Sequence, residues 1–132
     1  MKYLKVSVTA FLLSIALLLA ACGAGTPERA AKDFYGYIAD GKTDKAIDMF
    51  SYSDVKDTEM SAARGKVTMI VGEMQARIAG AKGLKSVDVD NVENPTDTTA
   101  NVAVTLKLGD GTQKKDTLHL VREDGSWKVK LR

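Results

Sequence analysis

Few side chains in this 132-residue sequence are equipped for chemistry. It holds one cysteine, Cys22, and one histidine, His119, which excludes a zinc site built from Cys and His ligands. The candidates for proton transfer are Tyr35, Tyr37, Tyr52, Asp116 and His119, and no spacing among them pairs an acid with a base by itself. The acidic stretch Asp88-Val89-Asp90-Asn91-Val92-Glu93 has oxygen ligands but lacks the glycine and the ligand order of a calcium loop. Gly109-Asp110-Gly111 carries turn chemistry, without the Lys-Ser/Thr pair of a phosphate-cradling loop. No metal, cofactor or catalytic constellation is therefore expected, and the chain is not expected to be an enzyme.

What Cys22 can do depends on what precedes it. Lys2 and Lys5 open the chain, residues 6–19 form an apolar core, and small residues follow, which is the layout of an export signal. Leu19-Ala20-Ala21 directly before Cys22 resembles the lipobox of bacterial lipoproteins. The resemblance implies cleavage between Ala21 and Cys22, a diacylglyceryl thioether on the Cys22 sulfur, and an acyl chain such as palmitate on the new amine. Each buried methylene adds ~0.8 kcal/mol of membrane affinity and one chain alone holds only marginally, so two or three chains anchor durably. Two other readings stay open: an uncleaved helix, although the apolar run falls short of the roughly 20 residues of a span, and plain secretion with a free thiol. With Gly23 rather than Asp after the cysteine, the resemblance implies an outer-membrane position facing the periplasm in a Gram-negative envelope. In an envelope with one membrane the domain would sit on its outer side.

The expected organisation is a signal peptide at 1–21, the lipidated cysteine and a short tether at 22–26, and one domain at 27–132. A chain of this size supports a single core. Loss of Lys2 and Lys5 leaves 17 bases against 17 acids, so nothing draws the domain toward nucleic acid. The balance is uneven along the chain: residues 28–59 carry eight acids and five bases, residues 98–132 four acids and seven bases.

Three helices and four strands must position whatever site exists. Thr26 reads as an N-cap before Pro27 and Glu28, with Ala30, Ala31, Phe34, Tyr35 and Ile38 as the apolar stripe and Gly41 as the stop. Thr43 reads as the cap of a short second helix burying Ala46, Ile47 and Phe50. A third helix is expected from about 58 to 81, its stripe being Met60, Ala63, Val67, Ile70, Val71, Met74 and Ile78. Gly65 and Gly72 within it are read as sites of close backbone approach. Beyond Gly83 the period falls to two, with inward phases Val87, Val89; Val102, Val104, Leu106, Leu108; Leu118, Leu120; and Trp127, Val129, Leu131. Asn94-Pro95, Gly109-Asp110-Gly111 and Asp124-Gly125 supply the turns. The fold class is α+β: three N-terminal helices on one face of a four-stranded antiparallel meander.

The segments Pro27-Glu28-Arg29-Ala30-Ala31-Lys32-Asp33-Phe34-Tyr35, Thr43-Asp44-Lys45-Ala46 and Asp124-Gly125-Ser126-Trp127-Lys128-Val129, in this order of elements, resemble small bacterial lipoproteins of unknown function with a nuclear transport factor 2-like, or cystatin-like, domain. The resemblance implies a cone in which a curved sheet wraps the long helix, and enzymes built on that fold place acids and bases inside the cone. Here the inward phase is apolar except for Asp116 and Arg122 near the ends of their strand, expected to be solvated or paired at the rim.

Two kinds of site follow. The open sheet face gathers Lys107, Lys115, His119, Lys128, Lys130 and Arg132 with the small residues Ala103, Thr105 and Thr117. Such a face serves as solvated surface, as a contact for an envelope protein or anionic envelope component, or as the seam of a homodimer. The alternative is a cavity for a small apolar ligand, lined by Tyr35, Tyr37, Tyr52, Met60, Met69, Met74 and Trp127. Membrane lipid, through the acyl anchor, is the remaining expected partner.

Overall fold

The computed structural model describes residues 25–131; the signal segment, the Ala21/Cys22 junction and Arg132 lie outside them. The described chain forms three helices and a four-stranded antiparallel sheet in the order β1-β2-β3-β4.

Helix α1 spans Pro27–Ala39. Thr26 is extended at its head and its hydroxyl accepts the Arg29 N–H at 3.3 Å, while Glu28 meets the positive end of the helix dipole. Ala31, Phe34, Tyr35 and Ile38 recur at helical spacing and are buried. Gly41, at φ +76°, turns the chain, and the Lys42 N–H returns to the Tyr37 carbonyl at 2.8 Å. Helix α2, Thr43–Asp48, therefore begins sooner than its sequence suggests: Thr43 is already its first residue, Lys42 holds the cap position, and no side chain caps it.

A 3-10 turn, Asp57–Glu59, leads into α3, Met60–Gly80. This helix buries only Val67, Val71 and Ile78. At 100° per residue these three lie within about 40° of one another, whereas Ile70 falls about 60° to one side of Val67. Ile70 is accordingly 38% exposed and Met69 70% exposed, which corrects the expected place of Ile70 in the stripe. The helix packs chiefly on α1 and α2, while α1 is the helix laid against the sheet. Gly65 and Gly72 correct a second expectation: no atom lies within 4 Å of a Cβ built on either. The close approach occurs at Gly109, where a Cβ would stand 2.1 Å from the Lys82 carbonyl oxygen. There the Gly109 N–H donates to Gly83 and the Asp110 N–H to Ala81, binding the end of α3 to a sheet turn.

Strands β1 (Leu84–Thr96), β2 (Thr99–Leu108), β3 (Gln113–Glu123) and β4 (Ser126–Val129) pair successively. Strand β1 runs through Asn94-Pro95, which the sequence reading assigns to a turn. Proline is tolerated there because β1 is an edge strand, and the turn falls at Asp97 and Thr98. The register shifts between Val89 and Asn91, so Asp90 is an extra residue. This bulge keeps Val87, Val89 and Val92 facing Leu106, Val104 and Val102, where strict alternation would have turned Val92 outward. Asp124 (φ 49°) and Gly125 (φ 79°) make the tight β3–β4 turn.

Strand β4 pairs only with Leu120, Val121, Arg122 and Glu123. Its outer edge is taken by the segment after α2, with Ser51 N–H donating to Val129 O at 2.8 Å and Val129 N–H to Met49 O at 2.7 Å. Residues 113–118 of β3 thus have no paired strand on that side among the described residues. The core lies between α1 and the inner sheet face, where Phe34 meets Tyr35 and Phe50 edge to face at 5.3 and 5.5 Å.

Candidate functional site

Tyr35 is the largest wholly buried side chain, and its hydroxyl reaches the one carboxylate on the inner phase of β3. The phenol donates to Asp116 Oδ2 at 2.6 Å, and Asp116 Oδ1 accepts the Thr117 N–H at 2.9 Å. Burial, reinforced by the hydrogen bond to Asp116 and by its negative charge, holds the Tyr35 pKa far above that of a free phenol. The hydroxyl is therefore a neutral donor at every physiological pH, and the carboxylate already accepts on both oxygens.

Asp116 also lines a pocket of about 60 Å³ with Met74, Arg77 and Ile78 of α3, Leu106 and Leu108 of β2, and Lys114 of β3. Its throat is apolar and its rim is charged. Ligand sites for drug-sized molecules run to roughly 300–1,000 Å³, so this pocket accommodates little more than a few water-sized groups.

The other residues expected to line one cavity do not meet. Tyr35 and Tyr37 are two residues apart on α1, about 200° around the helix, and so face different ways. Tyr37 is half-buried with the Lys45 ammonium 5.5 Å from its ring centroid. Tyr52 donates to the Ile47 carbonyl at 2.9 Å under the Arg64 guanidinium, 4.9 Å away. Burial raises the Tyr52 pKa, with Arg64 opposing and Asp48 adding to the shift. Met60 is half-buried at the head of α3, and Met69 is on the surface. Trp127 borders a separate depression with Gly25, Thr26, Arg29, Ala30, Asp33, Met49 and Ser126. Of the expected set, Met74 lines the pocket and Tyr35 reaches it through Asp116.

On the open sheet face the basic residues have separate fates. Lys107 pairs with Asp88 at 3.0 Å. Lys128 leaves the face and donates to the Asp48 carbonyl at the end of α2, at 3.2 Å. His119 Nδ1 lies 2.6 Å from Asn101 Oδ1. Lys115 and Lys130 are exposed, and Arg132 is outside the described residues. Thr105 shares the outward phase yet is only 7% exposed, and its hydroxyl donates to the bulged Asp90 at 2.6 Å. Between these groups lies a shallow depression of about 540 Å³, lined by Asp90, Ala103, Val104, Lys115, Asp116, Thr117 and His119. Cross-strand register puts Asp88, Thr105 and Lys115 in one row and Glu93, Asn101 and His119 in another, so in these rows the acids fall on β1 and the bases on β3, while Glu123 at the far end of β3 is taken up by the Ser51 and Ser53 hydroxyls. The sequence signals for this face were the small residues Ala103 and Thr117; nothing signalled the Asp90 bulge or a partner for Tyr35 81 residues away.

Among the described residues no group of three or more His, Cys, Asp or Glu is placed to hold a metal ion, and no helix is long and apolar enough to cross a membrane. The layout of helices and sheet is that of the nuclear transport factor 2-like fold. It is shared with a solved protein of Campylobacter jejuni described as a putative NTF2-like transpeptidase, at a TM-score of 0.74 and 23% identity, over 82% of this chain and 100% of that one. No curated protein matches the chain. Residues 20–130 match the model of a domain of unknown function, DUF4878, and the chain belongs to that family.

Proposed function

We propose that the chain is a lipid-anchored, non-catalytic binding or assembly module of the bacterial cell envelope, working through the open face of its sheet. The observation that carries this reading is the contrast between the two faces: the apolar pocket on the helix side measures about 60 Å³, whereas the open face offers a depression of about 540 Å³ with charges of both signs around a small-residue floor. A carrier of apolar molecules needs the reverse. The separation of acids from bases supports a protein partner of opposite polarity, and a second copy satisfies that requirement. Rotation about a two-fold axis parallel to the strands lays Asp88 and Glu93 of one copy over the β3–β4 side of the other, whereas an axis across the strands sets acid on acid. The Cys22 anchor supports an envelope location, on the outer membrane facing the periplasm in a Gram-negative cell.

The test is gentle purification of the acylated protein from its own membrane, with co-purifying proteins identified and mass measured by light scattering. Lys115→Glu with Lys130→Glu is expected to remove the partner or dissociate the dimer while leaving the fold intact. An unchanged partner set and unchanged mass in the double variant would overturn the reading of this face.

A further inference from the structure

The point at which the chain enters the domain determines which end of the fold stands nearest the lipid. This inference rests on the Cys22 anchor. Three peptide units separate Cys22 from Gly25, a reach of at most about 11 Å. The polar layer on each side of a bilayer is roughly 5–8 Å thick, so Gly25 is held at the headgroups.

Gly25, Thr26 and Arg29 share a shallow depression of about 240 Å³ with Met49 and Trp127. Trp127 is the only tryptophan in the chain, and it is half-buried, packed against the core while bordering this depression. Register then assigns the turns to ends. Trp127 lies opposite Arg122, Val121 opposite Thr99, and the Arg122 N–H donates to Thr98 O at 2.7 Å. The β1–β2 turn, the β3–β4 turn and the start of α1 therefore occupy one end of the domain. The other end carries the β2–β3 turn at 109–112, the end of α3 clasped to it, and the pocket rimmed by Arg77 and Lys114.

We propose that the end bearing Trp127 rests on the headgroup layer, with the strands rising from the membrane and the Arg77/Lys114 pocket facing away. An indole suits that layer because its ring is apolar and its N–H finds a polar partner there. Ten residues of β2 rise about 33 Å, which sets the far turn well clear of the lipid. Charge does not drive the contact: Arg29 and Arg122 at this end are outnumbered by Glu28, Asp33, Asp97, Glu123 and Asp124. The lipid surface that fits is consequently zwitterionic, and anionic lipid adds nothing to the contact.

The sole tryptophan serves as its own probe. Acylated protein is reconstituted into phosphatidylcholine vesicles, with and without bromine on the acyl chains, and emission is compared. Emission from Trp127 is expected to fall with brominated lipid, and to fall no further when anionic lipid is included. In the Trp127→Phe/Thr112→Trp variant, whose tryptophan reports from the far turn, emission is expected to be unaffected by bromine. Vesicle-bound protein whose Trp127 escapes quenching, or whose residue-112 indole is quenched equally, overturns the orientation with the anchor intact. Protein that fails to float with vesicles, with an unmodified Cys22 by mass spectrometry, overturns the anchor and the orientation falls with it.

Discussion

Replacing Tyr35 with phenylalanine deletes one hydroxyl from the inside of the fold and leaves the ring packing on Phe34 in place. The lost contact is a 2.6 Å hydrogen bond to a carboxylate. Bonds to charged groups contribute ~1.5–3 kcal/mol when fully buried. Asp116 is exposed and keeps the Thr117 N–H, so water compensates part of the loss and a cost of about 1 kcal/mol is expected for Tyr35→Phe. Asp116→Ala should cost more, about 1–3 kcal/mol, because the phenol of a wholly buried ring then lacks its acceptor. The pH dependence is the sharper signature. The folded-state pKa of Tyr35 is raised, so its contribution is fully present below the unfolded value near 10 and is lost as pH climbs from there toward the folded value. In that window the unfolded chain releases the phenolic proton while the native chain retains it, and stability falls by up to about 1.4 kcal/mol per pH unit. Urea unfolding of the mature-length chain carrying Cys22→Ser, followed by Trp127 emission from pH ~7 to ~11, measures this directly. The difference between wild type and Tyr35→Phe should be flat up to about pH 10 and shrink above it. Tyr52, also raised, is present in both proteins and cancels. A difference independent of pH across the whole range would refute the burial and pairing of Tyr35.

Two glycines should respond in opposite directions. Gly109→Ala, with its Cβ 2.1 Å from a carbonyl oxygen, forces the clasp apart and should lower the melting temperature through a loss of about 2–3 kcal/mol. Gly72→Ala, on an open helix face, should raise stability by up to ~1 kcal/mol; equal effects in thermal melts would mean that Gly109 does not meet Lys82. Phe34→Ala, removing the ring between Tyr35 and Phe50, should cost about 3–5 kcal/mol by urea titration. Cys22→Ser should abolish acyl modification by mass spectrometry, and a variant still carrying acyl chains would refute the anchor.

The parts of this fold legible in the sequence were those set by local rules. Thr26-Pro27-Glu28 marks a helix start wherever it stands, and the alternation at Val102, Val104 and Leu106 survives because β2 is paired on both sides. The parts that escaped depend on who sits across. Ile70 has the right spacing for a wide stripe, but α3 meets only a narrow strip of α1 and α2. The Asp90 bulge is invisible in a pattern of alternating acids and valines, since Val92 reads as out of phase until its partner Val102 is known. Tyr35 and Asp116 are both proton-transfer candidates in the sequence, yet nothing local links residues 81 apart. Gly109 looked like an ordinary turn glycine because the atom that forbids a side chain there belongs to another element.

The shortness of β4 has a further result. Residues 113–118 pair with β2 on one side only and, apart from the Thr117 N–H held by Asp116, leave the outer margin without a strand partner among the described residues, the kind of template on which chains crystallise into fibrils. Lys114 and Lys115 sit in that stretch on opposite faces, so any strand approaching from either side must desolvate an ammonium group. Exchanging both for valine would leave the native contacts nearly untouched and turn a quiescent margin into a seed for cross-β assembly.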